Sequence, residues 1–168
     1  MSEFQPAFES MIVNEGGYKL TNVSGDKGGM TYAGIARNRW PNWSGWAAID
    51  AGGRPAADAV RAFYKQNFWD VMRLDDVSSP VIARHLFDFG VNAGPGTAVK
   101  IAQVVTGVTP DGAVGPLTLA ALNMSDPELF SARYTIAKMA RYRDIVTRDR
   151  SQGKFLLGWL NRTLKEAA

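Results

Sequence analysis

Residues 4–36 read FQPAFESMIVNEGGYKLTNVSGDKGGMTYAGIA. Phe4, Phe8, Met11, Ile12 and Glu15 fall at i, i+4, i+7, i+8 and i+11. That spacing is one face of a 3.6-residue period, so a helix is predicted over 4–15. Gly16-Gly17 supplies residues that tolerate the left-handed backbone on which helices end. The pattern then changes. Glycines at 25, 28, 29 and 34 are interspersed with short β-favouring pieces such as Met30-Thr31-Tyr32, which predicts a small hairpin or loop-rich sheet over 18–36.

Beyond this stretch the chain reads as helices. Pro41 and the Gly52-Gly53, Pro55 cluster bracket a short helical piece near 43–51. A helix is predicted over 56–72 with Val60, Phe63, Tyr64 and Phe68 on one side. Another is predicted over 79–90 with Val81, Ile82, His85, Leu86 and Phe89 as its buried stripe. Asn92-Ala93-Gly94-Pro95-Gly96 breaks the chain before a helix from about 96 to 106. Asp111-Gly112 reads as a turn, and Gly115-Pro116 as the N-cap and first residue of a helix through Leu122. Ser125 and Glu128 have capping-box spacing for a long helix to about 152, and a last helix covers roughly 154–166. The class is mainly α with one small β element. Trp40, Trp43 and Trp46, three residues apart, read as packing more than as a sugar platform, and His85 as a hydrogen-bonded core histidine.

Composition narrows the chemistry. The 168 residues include no cysteine and one histidine. Disulfides, thiol nucleophiles and sites needing two imidazoles are excluded, and no metal or cofactor is expected. The charge is uneven: residues 1–125 carry 10 basic and 11 acidic side chains, residues 126–168 carry 9 and 5. A basic end fits an anionic partner such as a cell-wall polymer or an anionic membrane surface, or else a solvated helix face. Net +3 without a basic–aromatic motif argues against nucleic acid. No signal peptide and no spanning segment are read, so synthesis in a cytoplasm is expected.

Three side chains stand out. Glu15 is a carboxylate on an apolar stripe at a helix C-terminus, where desolvation and the helix's negative end both disfavour its charged form. A general acid needs that setting; the alternative is a helix that ends early and a Glu15 that points to water. Asp26 lies among glycines that let a ligand approach the backbone, or is an ordinary turn aspartate. Thr31 follows on the expected strand, able to hold a water or present for β-propensity alone. Together they point to a glycosidase, which needs two carboxylates and no metal.

The same residues carry a resemblance. Glu15-Gly16-Gly17-Tyr18, Asn22, Asp26, Gly28-Gly29, Thr31 and Gly34-Ile35 resemble the signature of glycoside hydrolase family 108, the N-acetylmuramidase endolysins. The Glu–Asp–Thr order is similar to the catalytic trio of phage-type lysozymes. Asn67-Phe68-Trp69-Asp70 resembles the segment closing that catalytic region. Residues 87–96, residues 111–118 and Gly158-Trp159-Leu160-Asn161-Arg162 resemble the helical region labelled peptidoglycan-binding in those proteins.

The resemblance implies a lysozyme-like fold, helical with a small β-hairpin in its N-terminal lobe. It implies a muramidase lobe over 1–90 and a helical wall-binding lobe over 91–168, packed as one unit. The implied activity is hydrolysis of the β-1,4 bond between N-acetylmuramic acid and N-acetylglucosamine. Glu15 would be the general acid, with Asp26 and Thr31 orienting water for inversion. Tyr18 and Tyr32 are candidates to pack on sugar faces, or ordinary packing residues. Asp88 and Asn92 are candidates to bind acetamido groups, or helix-end caps. The rivals are a lytic transglycosylase and a membrane-disrupting lysis protein acting through the basic C-terminal helices. A monomer is expected, reaching wall in the periplasm through a holin or export pore.

Overall fold

The computed structural model describes residues 3–21 and 29–167. These form two compact units, Glu3–Val71 and the chain from Met72 onward. Among the described residues there are eight α-helices and one three-stranded antiparallel sheet. This is the expected mainly α class with a small N-terminal β element. No helix among them is long and apolar enough to cross a membrane.

In the N-terminal unit, α1 (Phe4–Asn14) buries Phe4, Ala7, Phe8, Met11 and Ile12, the face anticipated from the spacing. Strands β1 (Leu20–Thr21), β2 (Thr31–Tyr32) and β3 (Ile35–Ala36) form the sheet in chain order. Leu20 pairs with Tyr32, and Tyr32 with Ile35. Helices α2 (Gly45–Asp50) and α3 (Ala57–Tyr64) follow, and α3 runs into a π-helical turn at Lys65–Trp69. There Asp70 N–H reaches Lys65 O at 2.9 Å, and Phe68 and Trp69 are both buried. A chain of ring contacts ties the unit together: Phe4 to Trp69 at 5.4 Å, Phe8 to Tyr64 at 6.0 Å, and Trp40 to Phe63 at 5.0 Å. All three tryptophans make ring contacts within this core. Trp43 and Trp46 are buried, and the Trp46 indole N–H donates to Trp40 O at 2.7 Å.

The C-terminal unit comprises α4 (Pro80–Ala93), α5 (Pro95–Thr106), α6 (Pro116–Met124), α7 (Pro127–Arg148) and α8 (Gly153–Ala167). Helices α4 to α7 each open with proline at the first position, where the missing N–H costs nothing. Helix α7 packs on α4, α5 and α8. Tyr134 donates to Ala98 O at 3.0 Å, and Tyr142 stacks on Trp159 at 5.0 Å. His85 is buried and bonded through Nε2 to Ser131 Oγ, as a core histidine should be.

Four details differ from the expectations. Ile82, His85, Leu86 and Phe89 are buried as expected, but Val81 is 37% exposed and Phe87 is buried in addition, so the inward stripe of α4 is wider on one side and shorter at its start. The cap of α7 is Asp126, whose carboxylate accepts from Leu129 N–H at 2.8 Å. Ser125 instead donates to Ala121 O at 2.8 Å in the preceding helix. Helix α7 ends at Arg148, and Asp149 starts a separate turn at Arg150–Gln152. Lys138, one of the nine basic residues of the 126–168 end, is fully buried, its ammonium 5.5 Å from the Tyr134 ring centre and 5.7 Å from that of Phe89.

Candidate active site

Glu15 is the C-cap of α1. Gly17 N–H bonds Ile12 O at 2.8 Å and Gly16 N–H bonds Val13 O at 3.1 Å. These are the paired bonds of a Schellman ending, made possible by φ of +88° and +75° at the two glycines. The chain thus turns away directly after Glu15, leaving its half-buried carboxylate at the negative end of the helix.

The β2–β3 hairpin closes against this carboxylate. Its two-residue loop is Ala33-Gly34, with φ of +50° and +79°, the pattern of a type I′ turn. Ala33 is a non-glycine residue held left-handed, and both of its backbone polar groups are engaged. Its N–H donates to Lys19 O at 3.1 Å, and its carbonyl accepts from the Tyr64 hydroxyl at 2.8 Å. Gly34 is exposed, yet no side chain fits there. A Cβ at Gly34 would lie 2.6 Å from Tyr64 Oη and 3.3 Å from Glu15 Oε2. Glu15, Gly34 and Tyr64 therefore meet at one point. Tyr64 was legible only as part of an apolar helix face. The hairpin it holds has a local signal, a glycine between two β-favouring pairs.

Thr31 stands on β2 opposite Thr21 and Ala36. It is half-buried, and its hydroxyl donates to Gly29 O at 3.4 Å. Asp26 lies outside the described residues, as do Asn22 and Gly28. Tyr18 and Tyr32 line one cavity of about 460 Å³ together with Lys19, Thr21, Ile49 and Arg54. Their surroundings differ: Tyr18 is 41% exposed, whereas Tyr32 is 4% exposed and stacks on Trp43 at 6.2 Å. A second cavity of about 520 Å³ lies between the Trp40–Ser44 segment and α3. Its described lining residues include no carboxylate.

In the C-terminal unit, Asp88 and Asn92 stand one turn apart on α4, both half-buried. The 111–118 segment is organised by Gln103, which sequence reasoning missed. Its buried amide nitrogen lies 2.7 Å from Asp111 Oδ1, 3.0 Å from Ala113 O and 3.0 Å from Thr118 Oγ1. Its oxygen accepts from Gly112 N–H at 2.9 Å. The Ala113 N–H, then the Gln103 amide, hold the Asp111 carboxyl below the usual carboxylate range.

A helix-end glutamate pressed against a glycine-dependent hairpin places one of the two carboxylates that a carboxylate-based glycosidase needs. Residues 8–94 match the family described as Glycosyl hydrolase 108, and the chain belongs to that family. Residues 97–164 match the domain described as Predicted Peptidoglycan domain. The chain is similar to the solved structure described as "Structure of Brucella abortus SagA", with 25% identity and a TM-score of 0.73 over 98% of this chain and 91% of that one. No curated protein matches the chain. The protein is thus a glycoside hydrolase that acts on peptidoglycan, with the lysozyme-like fold that the resemblance implied.

Proposed function

We propose that the protein is an endolysin-type muramidase cleaving the β-1,4 bond between N-acetylmuramic acid and N-acetylglucosamine, with Glu15 as general acid. The observation that carries the reading is the seat of Glu15 at the end of α1, fixed against Gly34 in a chain of this family. In this scheme Glu15 protonates the leaving oxygen as the bond to the anomeric carbon breaks. Asp26 takes a proton from water while that water's oxygen bonds the anomeric carbon from the opposite face, and Thr31 holds the water. The outcome is inversion, which needs carboxyls roughly 6.5–9.5 Å apart. Tyr18 and Tyr32 on the sheet side, and Asp88 and Asn92 on α4, are the proposed substrate contacts. Residues 1–90 act as the hydrolase lobe and 91–168 as the wall-binding lobe.

The test is turbidity loss of purified wall with wild type, Glu15→Gln and Asp26→Asn. Glu15→Gln should lose about 10²–10⁴-fold in rate, the usual worth of a general acid. Full activity in that variant would overturn the assignment of Glu15, and full activity in Asp26→Asn that of Asp26. Mass spectrometry of the fragments separates hydrolysis from transglycosylation, since anhydro-sugar ends would show that water is not the nucleophile. Lysis by a Glu15→Gln protein at the wild-type rate would point instead to membrane disruption, a reading that the burial of Lys138 does not favour.

A further inference from the structure

We infer that the cavity beside the Ala33–Gly34 turn is a subsite for the carboxylates of the peptidoglycan stem peptide, with Lys19 and Arg54 as its anion-binding groups. The inference rests on the peptidoglycan-hydrolase reading and adds how the enzyme recognises peptide-bearing strands.

The first argument is charge. Of the six cations described in the N-terminal unit, three are paired, and a fourth, Arg39, lines the other cavity. Arg37 makes a two-point contact with Asp50 at 2.6 and 2.7 Å, Arg61 meets Asp58 at 3.0 Å, and Lys65 meets Asp70 at 2.6 Å. Lys19 and Arg54 are both exposed, and their side chains have no ion pair or hydrogen bond among the described residues. They line the same cavity. Two cations facing one concavity repel each other, and an anion between them relieves that cost.

The second argument is shape. At about 460 Å³ the cavity is of ligand size. Besides the two cations, its wall offers Tyr18, Leu20 and Ile49. Apolar side chains beside two cations suit a short peptide with small apolar residues and free carboxylates. A neutral sugar has no use for the cations.

The third argument is placement. Lys19 O accepts the N–H of Ala33, and Tyr32 precedes Ala33 and lines the cavity. The next residue, Gly34, lies beside Glu15: a Cβ there would be 3.3 Å from Oε2. One short hairpin thus borders both the cavity and the acid. In peptidoglycan the stem peptide hangs from the lactyl group of N-acetylmuramic acid, on the sugar ring whose glycosidic bond is cleaved. A peptide subsite therefore belongs beside the acid.

Carboxylates reach this enzyme from two sources, the stem peptide and the bare lactyl group. The experiment separates them. Initial rates are measured on intact glycan strands, on strands stripped of peptide by an amidase, and on N-acetylglucosamine oligomers, which carry no carboxylate. The proteins are wild type and Lys19→Gln/Arg54→Gln. In the double variant the ratio of kcat/KM on intact over stripped strands should fall about tenfold, through KM. An unchanged ratio overturns the inference. A loss equal on intact and stripped strands assigns the cations to the lactyl group and likewise overturns it, and an equal loss on all three substrates shows a structural role. A calorimetric titration of Glu15→Gln protein with a disaccharide tetrapeptide, with and without the two substitutions, reads the subsite without turnover. Weaker binding in the substituted protein supports the subsite even if the muramidase reading fails, and equal binding excludes it.

Discussion

The Tyr64 hydroxyl donates a 2.8 Å hydrogen bond to the carbonyl of Ala33, thirty-one residues earlier in the chain. Both residues are buried. The bond joins α3 to the turn that abuts Glu15, so it links the aromatic core of the N-terminal unit to the candidate acid. Tyr64→Phe leaves the Ala33 carbonyl buried without this donor, at a cost of about 1–3 kcal/mol. The melting temperature should fall by several degrees, at about 2–4 °C per kcal/mol for a chain of this size. Wall-hydrolysis rate should fall as well, while far-UV circular dichroism stays near native. An unchanged melting curve would show that the turn holds its place without the hydroxyl.

Gly34→Ala should be worse than its size implies. The φ of +79° is unfavourable for any side chain, and the new Cβ would press on Tyr64 Oη. Strain of this kind costs about 1–3 kcal/mol, and activity should fall with it because Glu15 Oε2 lies next to the same point. Removing the hydroxyl relieves part of the clash. The double variant Gly34→Ala/Tyr64→Phe should therefore be less destabilised than the sum of the single changes, by about 0.5 kcal/mol or more in urea titrations. Strict additivity would mean that the two positions do not touch.

The part of this arrangement written in local pattern was readable in advance. The apolar face of α1, its two-glycine ending, the glycine-marked hairpin and the proline that opens α6 each follow from spacing within a few residues. Glu15 stood out because a carboxylate broke an apolar stripe. What escaped depends on partners far away in the chain. Tyr64 looks like any other inward aromatic until the hairpin is in place. Gln103 is a polar residue on a helix whose four partners lie eight to fifteen residues on. Lys138 reads as a surface cation, because lysine is almost never buried. In the fold its ammonium faces two aromatic rings, those of Phe89 and Tyr134. The cap of α7 was misread because Ser125 and Asp126 compete for one role, and only geometry decides between them.

His85 sets a pH dependence in the C-terminal unit. Burial, followed by the nearby charges of Lys138 and Arg84, pushes its pKa down to about 4. Its ordinary value is near 6.5. Between those two values the unfolded chain takes up a proton that the folded chain refuses. Stability is therefore full above about pH 6.5, falls as pH drops towards 4, and levels off below, with a total loss of at most about 3 kcal/mol. His85→Gln, which keeps a hydrogen-bonding group near Ser131, should flatten the melting temperature against pH over this window. Parallel curves for the two proteins would assign the acid sensitivity elsewhere.

Gln103→Ala should loosen the whole 111–118 segment. The change removes the acceptor for Gly112 N–H and the donor facing Asp111, Ala113 and Thr118. Buried Thr118 then loses its amide partner, and a loss of about 2–4 kcal/mol is expected from unmet polar groups and the cavity together. The Asp111 carboxyl should titrate closer to the ordinary carboxylate value, because one of the two main groups holding it down is gone. Denaturant titration reads the first effect and carboxyl NMR the second. An unmoved Asp111 titration would show that the backbone N–H of Ala113 suffices alone.

Asp126 and Ser125 give the sharpest contrast between pattern and geometry. The Asp126 carboxylate accepts from Leu129 N–H at 2.8 Å and sits before Pro127, the first residue of α7. It meets one of the four N–H groups that a helix start leaves without a partner. Asp126→Ala should cost about 1 kcal/mol, within the usual 0.5–2 kcal/mol for a lost N-cap. Ser125→Ala should cost less than half of that, because its hydroxyl bonds only a carbonyl in the last turn of α6. Asp126→Asn separates the two contributions of the cap. Asparagine keeps the accepting oxygen, so any remaining loss measures the attraction between the carboxylate and the positive helix end, about 0.3–1 kcal/mol. Raised salt should shrink that remainder and leave the Ala effect mostly intact. If Ser125→Ala proved the costlier change, the Ser125–Glu128 pairing expected from spacing would be the true cap, and the Asp126 contact would be incidental.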